Sequence, residues 1–136
     1  MEVIRMGAST ALALPDDPAE LADLLDAAAS KLLDARFSVE TEDGLLVLEE
    51  SLERVHRRLD GVDAALLVEV SDRGAYRKAG YLSVHSYLAQ GLRLGDGAAS
   101  RRRTSAAAIG RFTAMTGETL APVLPDTAAA VAEGAI

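Results

Sequence analysis

The residues best suited to chemistry in this 136-residue chain are cations. Arg101, Arg102 and Arg103 stand in a row, with Arg93 before and Arg111 after, and Arg77-Lys78 lies upstream. A guanidinium is a planar fork of donors that fits phosphate oxygens, so such a cluster points first to a nucleic-acid backbone. On a helix, three consecutive residues fan over about 200°. The three arginines therefore cannot all meet one partner face, and at least one must turn toward the core side or snorkel. The competing reading is a solvated helix face that balances acidic charge elsewhere. Tyr76, Tyr81 and Tyr87 have rings that could stack on bases, but tyrosines beside an Ala-rich core ordinarily fill it.

Other chemistry finds little support. The absence of Cys excludes disulfides, zinc–thiolate sites, iron–sulfur clusters and a thiol nucleophile. His56 and His85 lie far apart, with no carboxylate at a fixed ligand spacing, so no metal site is expected. Asp16-Asp17, Glu42-Asp43 and Glu49-Glu50 are paired acids, and two of these pairs sit at helix starts, where negative charge suits the helix dipole. Gly95-Asp96-Gly97 lacks the Lys-Ser/Thr ending of a phosphate loop. The chain is expected not to be an enzyme and to carry no catalytic residue, metal or cofactor.

Composition agrees with a folded, helical chain. Apolar residues make up 49% and charged residues 26%, which argues against general disorder. Aromatic residues are only 4%, so the core must be built from Leu, Val and Ala. Alanine is abundant and β-branched residues are sparse, which favours helix over strand. The net charge of −7 is uneven. The first 50 residues are strongly acidic, residues 51–111 are basic, and the last 25 carry no base. No apolar run approaches the ~20 residues of a membrane span. The weakly apolar stretch Met6–Leu14 is too broken for a signal peptide, and the chain is expected to be cytoplasmic.

Residues 1–16 read as a flexible N-terminus and 17–136 as one helical domain. Asp17-Pro18-Ala19-Glu20 is a helix start, and Leu21, Leu25, Ala28, Leu32 and Ala35 form one apolar stripe. The next helix, expected over 42–72, carries Leu45, Leu48, Leu52, Val55, Leu59, Val62 and Leu66 at spacings of three and four. That is a heptad seam. It is expected to pack on the first helix in an antiparallel hairpin; the alternative partner is a second chain, in a homodimer.

Ser83 is expected to cap a short helix with Val84, Tyr87, Leu88 and Leu92 inward. Asp96 is expected to cap the next, running to about Phe112 with Ala99, Ala106 and Ile109 inward. Together they make a helix-turn-helix-like pair, in which Arg93, Arg101, Arg102, Arg103 and Arg111 would meet phosphates and Arg77-Lys78 would extend the surface. Pro122 and Pro125 exclude a long helix there, and Asp126 is expected to start a last one through Ala128, Val131 and Ala132. No alternating strand pattern is present. The fold class is therefore all-α.

The combination Arg73-Gly74-Ala75-Tyr76, Gly80-Tyr81-Leu82-Ser83-Val84 and Tyr87-Leu88 resembles the central signature of the 13E12-repeat family of actinobacterial proteins. Their shared N-terminal region is the domain of unknown function numbered 222. The stretch from Thr116 to Ala130 and the ending Gly134-Ala135-Ile136 are similar to the same family. The resemblance implies an all-helical region that in many members precedes a C-terminal HNH nuclease module. Neither histidine matches an HNH motif, so no catalytic residue carries over. The chain stops in mid-pattern and reads as a C-terminally truncated copy.

Three readings follow: a helical, DNA-binding N-terminal domain of an HNH-endonuclease-like mobile-element protein, lacking the nuclease; a dimerising protein–protein module; or a non-functional remnant. Binding to DNA would be weak and non-specific. A DNA binder should place Arg93, Arg102 and Arg111 on one face. A dimer should leave the Leu45–Leu66 seam unpaired within the monomer.

Overall fold

The computed structural model describes residues 12–136. The expected loose segment 1–16 falls mostly outside them. The chain forms two compact units, Met1–Glu42 and Asp43–Ile136. It is predominantly helical.

In the first unit, α1 spans Pro18–Leu33. Asp17 caps it, its carboxylate accepting the Glu20 N–H at 3.2 Å, with Pro18 in the first turn. The helix has no buried residue.

The second unit is built on α2, Glu42–Asp72, with the bounds the sequence predicts. Its second half departs from the heptad seam. Ala64, Leu67 and Val68 are buried, whereas Val62 and Leu66 are 56% and 60% exposed. Ala64 lies about 200° around the helix from Val62, so the core forms on nearly the opposite side from the seam. Gly61 helps to explain the change of face. A Cβ there would stand 3.2 Å from Val131 of the last helix, so the glycine lets that helix approach closely.

After a 3₁₀ turn at Ala75–Arg77, Ser83 caps a short helix α3, Val84–Ser86, by accepting the Ser86 N–H at 3.0 Å. The chain continues as a π turn, Tyr87–Gly91. Leu88 is buried, but Leu92, expected inward, is exposed. Arg93 then takes a left-handed φ of 61°, and the Leu94 N–H reaches back to the Leu88 carbonyl at 3.2 Å. This is the closing geometry usually given to glycine.

The next helix, α4, spans Gly95–Ile109. Asp96 does not cap it: the N-cap is Leu94, without a side-chain bond, and Asp96 lies inside the first turn. Ala99 and Ala106 are buried as expected, against Ala64, Leu67, Val68 and Leu88. Small residues there allow close helix packing, and Gly110 extends it, because a Cβ would stand 2.5 Å from Val68.

The sequence gives no strand signal, yet Phe112–Thr113 (β1) and Thr119–Leu120 (β2) form a small antiparallel ribbon. It is too short to show alternation. The last helix, α5, spans Pro125–Ala132, with Val131 buried and Ala132 exposed. Asp126 lies within it, and the N-cap Leu124 makes no side-chain bond. Instead, the Leu124 N–H donates to the Ala108 carbonyl at 2.9 Å, tying α5 to α4. At its far end, Arg57 donates to the Gly134 carbonyl at 3.3 Å and Arg58 to the Glu133 carbonyl at 3.4 Å. Two cations at a helix C-terminus complement its dipole.

Candidate functional site

The packing of α4 decides where its arginines go. Ala99, Arg102 and Ala106 share one stripe, spaced three and four apart, and this stripe faces α2. Arg102 is therefore the member of the triplet that turns inward, and its Nη1 lies 3.3 Å from the Asp63 carboxylate. Arg101 points to one side and is exposed. Arg103 points to the other, where its Nη1 donates to Nδ1 of His85 at 3.4 Å.

Burial raises the Asp63 carboxyl above its ordinary value of 3.8; Arg102 opposes that rise and Asp60 adds to it. The Arg101–Arg102 surface thus includes Asp60 and Asp63, which reduce its pull on a phosphate.

The other predicted contacts lie elsewhere. Arg93 is exposed on the turn before α4. Arg111 follows the buried Gly110 and lines a groove with Arg58. Arg77 lies over the Tyr76 ring, 5.1 Å from its centroid, and Lys78 is exposed just after the 3₁₀ turn. The Tyr81 and Tyr87 rings meet edge to face at 5.8 Å. The seven cations lie on several elements, and Arg102 is the one paired with Asp63.

Two features were not visible in the sequence. One is a chain of contacts from Asp96 through His85 to Arg103, with His85 Nε2 3.0 Å from the Asp96 carboxylate. Its only trace is the seven-residue spacing of Asp96 and Arg103, two turns along one helix face. The other is the groove of about 880 Å³ between α2, α5 and the segment after β2. Val62, Ile109, Leu120 and Ala129 contribute to its apolar lining, and its charged residues, Arg58 and Arg111, are both basic. The exposed seam borders it through Val62.

Among the described residues, no group of three His, Cys, Asp or Glu side chains is placed to hold a metal ion. None of the described helices is long and apolar enough to cross a membrane.

The comparison with known families decides the assignment. A family described as a domain of unknown function, DUF222, matches residues 47–136. The chain belongs to the DUF222 family. The match takes in most of α2 and everything after it, including the α3–α4 pair and α5. This DUF222 chain is 37% identical over 117 residues to uncharacterized protein Rv3466 of Mycobacterium tuberculosis, covering 86% of this chain and 52% of that protein. It is 33% identical over 114 residues to uncharacterized protein Mb1179c of Mycobacterium bovis, covering 84% of this chain and 25% of that protein. The DUF222 chain thus spans from a quarter to about half the length of these relatives. No solved structure matches it.

Proposed function

We propose that this DUF222 domain is a non-catalytic docking module whose α2 seam pairs with the seam of a second copy. The observation that carries this reading is the two-faced second half of α2. One face, at Ala64, Leu67 and Val68, is used by the domain's own core, while Val62 and Leu66 remain open on the other. Exposed apolar residues continuing a heptad repeat have the pattern that interlocks with a second helix. Light scattering on the purified chain tests this: a dimer that dissociates in Val62→Glu and Leu66→Glu variants supports it, and a monomer at high concentration opposes it.

A second reading is weak, non-specific contact with nucleic acid, as in the N-terminal part of an HNH-endonuclease-like mobile-element protein in the cytoplasm. It is favoured by Arg93, exposed on the turn before α4, and by Arg101, exposed within that helix. The acidity of the first 50 residues opposes it. Duplex binding by fluorescence anisotropy tests it, with a dissociation constant of roughly 10⁻⁴–10⁻⁶ M expected at physiological salt.

A further inference from the structure

We propose that His85 is a proton-operated latch on Arg103. The inference rests on the nucleic-acid reading only for its consequence, not for the latch itself.

His85 reaches from α3 to two residues of α4, with Asp96 at 3.0 Å from Nε2 and Arg103 at 3.4 Å from Nδ1. A guanidinium can only donate, and a carboxylate can only accept. One tautomer satisfies both contacts: Nε2–H donates to Asp96, and the bare Nδ1 accepts from Arg103. The neutral imidazole thus joins an anion and a cation that lie two helical turns apart.

A proton added at Nδ1 breaks the arrangement in one place only. Nδ1 becomes a donor facing another donor, and two positive groups meet. The contact to Asp96 becomes a charge-assisted ion pair. His85 therefore stays on α4 while Arg103 is released. Imidazole is the side chain that ordinarily changes charge between pH 5 and 8.

The charged groups facing His85 are Asp96 and Arg103 from α4. Asp72, from the end of α2, lies in the groove that Arg103 and Val84 also line. His85 is only partly exposed, whereas Asp96 is 89% exposed, so solvent reaches the latch from the Asp96 side. Release of Arg103 and the charge gained at His85 together make this face more positive in acid. The nucleic-acid surface thereby becomes pH-dependent, with tighter binding at low pH.

The test uses the isotope-labelled full chain. Nitrogen NMR at pH 8 should show His85 as the Nε2–H tautomer, and the Arg103 side-chain signals should move with the His85 titration between pH 8 and 5. In His85→Phe, the same Arg103 signals should stay fixed, which separates the latch from titration of His56. Anisotropy with duplex DNA should show binding about two- to fivefold tighter at pH 5.5 than at pH 8, the size of an exposed ion pair, and Arg103→Ala should reduce that difference to the part due to the charge at His85. An Nδ1–H tautomer at pH 8, or Arg103 signals indifferent to His85, overturns the latch. Arg103 signals that follow His85 without any binding to DNA uphold the latch and reject the nucleic-acid reading.

Discussion

Arg102 on α4 meets Asp63 on α2 at 3.3 Å, and this pair gives the middle arginine an anionic partner within the chain although its side chain stays 40% exposed. Burial of the Asp63 carboxylate outweighs the help it receives from Arg102, since its proton is held more tightly than in the ordinary case. The unfolded chain releases that proton near 3.8, and the folded chain releases it at higher pH. Stability from this group is therefore fully present in acid and is lost as pH rises from about 3.8 through the raised folded value. Asp63→Asn removes the titration. Melting curves from pH 7 down to pH 4 should show wild type gaining on the variant as pH falls, and a difference that is flat or shrinks would contradict the assignment.

The core is small and made of small residues, so it should tolerate added volume poorly. Ala99 is fully buried between α2 and the π turn. Ala99→Leu should cost about 1–3 kcal/mol by overpacking. Leu88→Ala should cost about 2–5 kcal/mol through lost burial and a cavity. Urea denaturation measures both, and near-wild-type midpoints would mean that the two segments are not packed together.

Arg93 occupies a left-handed backbone conformation that costs a side-chain-bearing residue about 1–2 kcal/mol. Arg93→Gly relieves that strain but adds freedom to the unfolded chain. The expected balance is a gain in stability of up to about 1 kcal/mol, together with weaker binding to DNA if that reading holds. A thermal melt and an anisotropy titration on the same sample check both, and a large loss of stability would place the side chain in a structural role instead.

The triplet separates structural from surface roles. Arg101→Ala should reduce the salt dependence of DNA binding by about one unit of slope without changing the melting temperature. Arg102→Ala should instead lower stability, because it leaves Asp63 without its partner. Equal effects of the two substitutions on binding would mean that Arg102 is available to phosphate.

Much of this fold is legible from spacing. The Asp17 and Ser83 caps, the extent of α2, and the inward Ala99 and Ala106 each follow from local chemistry or helical period. Two of the misses share one cause: competition among distant contacts. Val62 and Leu66 continue a seam, but α4 and the π turn pack on the other side of α2, where Ala64, Leu67 and Val68 also make a three–four spacing. Asp96 has the chemistry of a cap, yet His85 from another helix holds it. The β1–β2 ribbon is too short for alternation to appear. At the candidate site, the fan of three arginines showed that one must turn inward, but only the packing of Ala99 and Ala106 decided that it is Arg102.

The central claim is that the seam of α2 is an interface, and sedimentation velocity over a range of concentrations tests it most directly. The wild-type chain should shift from monomer to dimer as concentration rises, while Leu66→Glu, a change at an exposed position, should stay monomeric and melt as the dilute, monomeric wild type does. A wild-type chain that remains monomeric throughout, or a Leu66→Glu variant that dimerises equally well, would contradict it.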